Sequence, residues 1–167
     1  MVLDILKELL TDFEVIHQTG SSEVYKDFET LSALADQLPT KLRTRYTLGK
    51  WFDTGETVNI FSKATVVVGR SGANTVVETM ALGIPAVYIP LPISANNEQT
   101  KNAKIMEGLG AAVILPQDRL TPKRLLAAIR MVVEDYEKYR KAAKNAQKVL
   151  KLDAASLLAA ETLKLVN

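Results

Sequence analysis

The sequence contains no cysteine and only one histidine, His17, among its 167 residues. The lack of cysteine excludes a disulfide framework and a thiolate zinc site, and one imidazole cannot build a multi-histidine metal site. No Asp-x-Asp pair is present either. We therefore predict a protein that needs no metal ion and no cofactor.

Long apolar runs and strong net charge are also lacking. The longest mostly apolar stretch, residues 81–93, is too short to span a bilayer and contains three prolines. The chain opens without a basic leader, which favours a cytoplasmic location. A net charge of +2 gives no reason to expect nucleic-acid binding. The basic run 138–151 is interpreted as a solvated helix face, with at most a weak attraction to an anionic membrane.

Hydrophobic residues make up 47% of the chain, enough for one domain over residues 1–167. Short apolar runs bounded by Gly, Pro or polar turns alternate with segments of helical periodicity, which is typical of βα units. We predict helices over residues 23–38 and from Thr121 to the end. The five predicted strands are residues 13–16, 46–48, 66–68, 86–89 and 112–115. The pattern predicts a Rossmann-like α/β fold, a parallel sheet with helices on both faces.

One strand-to-helix turn, GRSGANTVVE at residues 69–78, stands out. Gly69 and Gly72 allow close approach to the backbone, and the unpaired amides of the following helix would form an anion site. Arg70 and Ser71 add a charge and a hydroxyl, and Glu78 has a carboxylate suited to the two hydroxyls of a ribose. The alternative is a tight turn followed by an ordinary surface glutamate. The turn by itself leaves both interpretations open.

A second loop follows the next predicted strand. Residues 88–93 are rich in proline, and a dense polar cluster at residues 94–102 opens the following helix. Because carboxyl ends of neighbouring parallel strands meet at one edge of a sheet, the two loops are expected to lie side by side. The amides of Gln99 and Asn102 suit sugar hydroxyls. The alternative is that Asn96 or Asn97 is only a helix N-cap and that the remaining polar residues are solvated helix surface.

Taken in order, four motifs resemble the C-terminal half of the MurG family of bacterial glycosyltransferases. The motifs are HQTG at residues 17–20, GRSGANTVVE at 69–78, GIPAVYIPLP at 83–92 and the polar segment 96–103. The resemblance covers almost the whole chain. It implies a GT-B fold whose C-terminal domain binds UDP-N-acetylglucosamine (UDP-GlcNAc), the donor of a sugar that the family transfers to undecaprenyl-linked muramyl-pentapeptide in peptidoglycan synthesis.

The resemblance also implies site residues. Glu78 matches the ribose-binding glutamate, Thr75 lies near the phosphates, and Glu98 with Gln99 match the paired glutamines that contact the sugar. Glu98 departs from that pattern. The full set of implied donor-binding residues is Gln18, Thr19, Gly20, Arg70, Ser71, Gly72, Ala73, Asn74, Thr75, Glu78, Glu98, Gln99 and Asn102. Trp51 and Phe52 resemble the segment that reads uracil, and no catalytic residue is assigned.

Compared with the family, the sequence lacks the acceptor-binding N-terminal domain with its proposed histidine base, and the first strand of the donor domain. The resemblance therefore implies a donor-binding half that is inactive alone and needs an acceptor domain in cis or in trans. His17 is given a structural or donor-side role. The open edges left by an absent central strand predict self-association, low stability or a rearranged sheet. Two alternatives stay open: a non-catalytic nucleotide-sugar-binding subunit and a fragment of a UDP-sugar 2-epimerase.

Overall fold

A computed structural model describes residues 2–150 and 153–165. Its strands are β1 (Val15–Gln18), β2 (Tyr46–Gly49), β3 (Val67–Gly69), β4 (Ala86–Tyr88) and β5 (Ala112–Ile114). Its helices are α1 (Val2–Asp12), α2 (Asp27–Asp36), α3 (Thr40–Arg43), α4 (Thr54–Lys63), α5 (Ala73–Leu82), α6 (Glu98–Gly108), α7 (Pro122–Glu134), α8 (Tyr136–Val149) and α9 (Ala154–Lys164). Short 3₁₀ turns cover Ala95–Asn97 and Gln117–Arg119. Within these ranges no helix is both long and apolar enough to cross a membrane.

The strands form two parallel sheets. β1 pairs with β2, with His17 opposite Leu48. β4 lies between β3 and β5, with Val87 opposite Val68 and Val113. Successive residues of β4 point to opposite faces. Ala86 and Tyr88 pack with α5, α6 and α8, whereas Val87 packs with α1 and α7. The prediction of parallel strands with helices on both faces is confirmed.

The connections determine how the two sheets are ordered. α2 packs on the same face as α1, whereas α4 lies against α5 on the opposite face. Right-handed crossovers on opposite faces advance in opposite directions. β1 and β3 are therefore the inner strands, in the order β2-β1 followed by β3-β4-β5. The predicted open strand edges are confirmed, since the inner edges of β1 and β3 carry no strand partner among the described residues.

Helix α1 joins the two sheets. Leu6 and Leu10 are fully buried in the cluster that includes Tyr46 of β2. Ile5 and Leu9, on the neighbouring stripe of the same helix, pack in the cluster that includes Val87 of β4. The amphipathic spacing of α1 thus gives each sheet its own pair of apolar side chains.

Two predicted helix boundaries are wrong. The helix expected from residue 23 begins at Asp27, because Lys26 has a left-handed backbone (φ 48°) that interrupts helical geometry. The helix expected from Thr121 to the end is divided into α7, α8 and α9. Thr121 does cap α7, accepting a hydrogen bond from the amide of Arg124. Residues 1, 151–152 and 166–167 lie outside the described residues, and with them the Lys151 end of the basic run.

Candidate nucleotide-sugar site

Helix α5 begins at the carboxyl end of β3 with unused backbone donors. Its N-cap is Gly72, which has no side chain to accept a hydrogen bond. No acceptor among the described residues takes the amide hydrogens of Ala73, Asn74 or Thr75. At Gly69 and Gly72 the side-chain position has no neighbouring heavy atom within 4 Å. Ala73 and Asn74 are exposed, so these amides and the positive end of the helix dipole make a candidate anion site.

The two residues between the glycines are tied to neighbouring loops. Arg70 Nη1 donates to the carbonyl of Ile89 (3.0 Å) and lies 2.6 Å from Oε1 of Gln117. Ser71 is fully buried, and its hydroxyl donates to the carbonyl of Gln99 (2.8 Å). The hydroxyl of Ser71 is thus committed to the protein interior, which differs from its expected use toward a ligand. Only its backbone remains for that role.

The second polar loop packs directly against the first. Asn102 Nδ2 donates to the carbonyl of Ser71 (3.3 Å), and Gln99 Oε1 accepts from the amide of Leu91 (3.0 Å). The predicted adjacency of the two loops is confirmed. Glu98 is the first residue of α6 and is exposed. Asn97 precedes it in a left-handed conformation and caps the helix without a side-chain hydrogen bond.

Glu78 lies on the exposed face of α5. It is six residues beyond Gly72, which corresponds to about 9 Å along the axis. Its carboxylate makes no hydrogen bond or ion pair with any residue in the described ranges, so both oxygens are available to a ligand. The buried face of α5 is formed by Val76, Thr79 and Met80. Thr75 is half-buried and lies one turn before Glu78 on the same side of the helix.

The remaining predicted residues cluster at the carboxyl end of β1 and β2. Gln18 Oε1 accepts from the amide of Phe52 (3.1 Å), and the amide of Thr19 donates to the carbonyl of Gly49 (3.0 Å). Gly20 has a positive φ of 76° and lies beside the ring of Trp51, which is 66% exposed. The structure therefore groups these five residues at one edge. Their contacts with a ligand stay predictions.

His17 and Tyr46 form a pair beneath that edge. Nδ1 of His17 lies 3.0 Å from the hydroxyl of Tyr46. Burial lowers the pKa of His17, against the opposing charge of Asp27, and burial raises the pKa of Tyr46 to about 12. A neutral imidazole facing a protonated phenol supports a structural role for His17.

Two features of the candidate site were not predicted from the sequence. Gln117 touches Arg70 from a turn 47 positions away, and no local signal announces such a contact. The capping box of Asp53 and Glu56, which starts α4 beside Phe52, does have a sequence signature, an acidic cap followed three residues later by Glu. Across the described residues no cluster of three His, Asp or Glu side chains could hold a metal ion. Independence from metal stays a prediction.

The fold is that of a doubly wound α/β domain, and the start of α5 is its candidate anion site. The chain belongs to the family described as the glycosyltransferase family 28 C-terminal domain, whose model matches residues 1–158.

Relatives with a specific name match part of the chain. It is 42% identical over 81 residues to the UDP-N-acetylglucosamine--N-acetylmuramyl-(pentapeptide) pyrophosphoryl-undecaprenol N-acetylglucosamine transferase of Lactococcus lactis, covering 48% of this chain and 23% of that protein. The enzyme of the same name from Methylorubrum extorquens is 42% identical over 99 residues, covering 59% of this chain and 27% of that protein. The chain's matches thus span about a quarter of the length of these relatives.

Solved structures agree on the fold. The MurG structure of Acinetobacter baumannii superposes with a TM-score of 0.74 at 26% identity, covering 98% of this chain and 46% of that one. The glycosyltransferase VinC, solved in complex with dTDP, superposes with a TM-score of 0.69 at 18% identity, covering 89% of this chain and 33% of that one. The GT-B C-terminal domain predicted from the resemblance is confirmed.

Proposed function

We propose that this chain is the donor-binding half of an N-acetylglucosaminyltransferase and binds UDP-GlcNAc. The observation that carries the proposal is the set of amides at Ala73, Asn74 and Thr75, which have no acceptor among the described residues at the exposed start of α5. These amides would receive the diphosphate. They stabilise the negative charge that develops on UDP as the glycosidic bond breaks.

Other residues take separate parts of the donor in this proposal. Glu78 accepts hydrogen bonds from the two ribose hydroxyls, and Gln99, Asn102 and Glu98 line the sugar side. The edge formed by Gln18, Thr19, Gly20, Trp51 and Phe52 lies toward the uracil. Gln99 is already positioned by its bond to the amide of Leu91, so its Nε2 remains free to donate to a sugar oxygen.

The proposed reaction needs a second domain. The named relatives transfer N-acetylglucosamine to a pyrophosphoryl-undecaprenol acceptor, and such transfer needs a base to deprotonate the acceptor hydroxyl. We assign His17 a structural role instead, because its Nδ1 pairs with the hydroxyl of Tyr46 beneath the edge of β1 and β2. We therefore propose that an acceptor-binding domain, in cis or in trans, supplies the base and brings the site to a membrane surface. Alone, this chain is expected to bind donor without transferring it.

Calorimetric titration with UDP, UDP-GlcNAc and ADP tests the proposal. We expect UDP and UDP-GlcNAc to bind and ADP to bind at least tenfold more weakly, because the diphosphate contacts are shared and the base contacts are not. Equal binding of UDP and ADP would contradict uracil recognition. Absence of UDP binding by a folded chain would contradict the donor-binding function itself.

Self-association through the inner strand edges is a separate proposal. Along their inner edges β1 and β3 have no strand partner in the part of the chain that the structure describes, and the strand residues Ile16 and Val68 are exposed there. We expect the mean mass in light scattering to rise with protein concentration. Replacing Val68 by lysine is expected to reduce that rise, whereas the same change at exposed Val24, outside both sheets, should not. A constant monomer mass would contradict the proposal.

A further inference from the structure

One arginine joins the loops that follow three neighbouring strands. Arg70 comes directly after β3, and its Nη1 lies 3.0 Å from the carbonyl of Ile89 and 3.4 Å from that of Pro90, both in the loop after β4. The same atom lies 2.6 Å from Oε1 of Gln117, in the 3₁₀ turn after β5. Of these three acceptors only Gln117 is a side chain.

These contacts hold the backbone segment that leads into α5. Gly69 and Gly72 have no side chains to restrain them, so the backbone between β3 and α5 is held by Arg70 and Ser71. Ser71 is fixed from one side by Gln99 and Asn102. Arg70 is held from the other side by Ile89 and Gln117. Its planar guanidinium fits these acceptors in one orientation, which restrains the main chain at residue 70.

The charge of the acceptors determines how much of the positive charge of Arg70 remains. No carboxylate lies within ion-pair distance of Arg70 among the described residues. Gln117 is neutral, so it holds the guanidinium without cancelling its charge. The positive charge of Arg70 therefore adds to the positive potential at the start of α5. A glutamate at residue 117 would hold the arginine equally well and would neutralise it.

We infer that Gln117 is a positioning residue for the donor diphosphate, holding Arg70 in place while leaving its charge uncompensated. The inference rests on the proposed donor-binding function. Gln117 lies outside all four sequence motifs. The inference states that this residue affects the affinity for the diphosphate and has no effect on the affinity for the nucleoside.

The test compares UDP and uridine on Gln117→Ala and Gln117→Glu. UDP affinity is measured by calorimetry and uridine affinity by titration followed with ¹H–¹⁵N NMR. We expect Gln117→Ala to lower UDP affinity about fivefold through a loosened Arg70, and Gln117→Glu to lower it about tenfold through a formed ion pair. Uridine affinity is expected to be unchanged in both. Gln117→Glu is also expected to melt no lower than the unmodified chain, which separates the charge effect from lost folding.

Gln37 provides matched controls. It is exposed at the end of α2, far from the β3–α5 turn, and its side chain makes no hydrogen bond within the described residues. Gln37→Ala and Gln37→Glu should leave UDP affinity unchanged. Unchanged UDP affinity in both Gln117 variants, or an equal loss for UDP and uridine, would overturn the inference while the donor-binding function stands. Failure of the unmodified chain to bind UDP would overturn both.

Discussion

Replacing Glu78 by alanine is expected to lower the affinity of this chain for UDP at least tenfold. A hydrogen bond to a charged group contributes about 1.5–3 kcal/mol, and removing the carboxylate leaves the two ribose hydroxyls without acceptors. The carboxylate is exposed and unpaired within the described structure, so its loss should not affect folding. Calorimetric titration of both proteins with UDP measures the change.

A ligand control makes the assignment to the ribose specific. 2′-Deoxy-UDP lacks one of the two hydroxyls, so it should bind the unmodified chain more weakly than UDP does. On Glu78→Ala the two ligands should bind alike, because the group that distinguishes them is gone. Glu107→Ala, at the far end of α6, is the control substitution. A constant ratio between the two ligands in all proteins would show that Glu78 does not hold the ribose.

Replacing Leu6 or Leu10 by alanine is expected to lower the free energy of unfolding by about 2–5 kcal/mol, the range for emptying a fully buried leucine site. Because β1 and β3 share no strand pairing, the contacts of α1 are a main link between the sheets. The loss should therefore be uneven. Amide hydrogen exchange is expected to speed up more in β1 and β2 than in β4, which keeps its contacts with Leu9.

Leu3 is the matched control on the same helix. It is 40% exposed, so Leu3→Ala is expected to cost well under 1 kcal/mol and to leave the exchange pattern unchanged. Urea unfolding monitored by circular dichroism gives the free energies. A uniform rise in exchange across all five strands in Leu6→Ala would show that the two sheets unfold as one unit and that α1 is not the separate link described above.

Strand prediction worked best for β3, β4 and β5, which are short apolar runs bounded by turn or polar residues. All five predicted strands are present, with ends shifted by one or two residues at most places. The early helix boundary failed at Lys26, where nothing in the residue type announces a left-handed backbone. The break between α7 and α8 was not predicted for a similar reason, since it occurs at Asp135 within an otherwise continuous helical pattern. The assignment of residues 1–167 to a single domain stays a prediction.

The candidate site was only partly accessible from sequence. Gly69, Gly72 and Glu78 follow from local rules, since glycines mark close approach and helical spacing sets which residues share a face. The hydrogen-bond partners of Ser71 and Arg70 could not be predicted from the sequence. Both side chains have the chemistry of phosphate ligands, yet their acceptors are Gln99 and Gln117, which only folding brings within reach.

The sequence alone therefore determined the fold class, because strand periodicity and helix starts are local properties of the chain, and the resemblance of four motifs indicated the family. The location of the anion site, inferred from glycine placement, stays a prediction. The tertiary structure decided the separation into two sheets, the linking role of α1 and the placement of Gln117 against Arg70. These features depend on contacts between residues far apart in the sequence. Their energies come from burial and hydrogen bonding that exist only after the chain has packed.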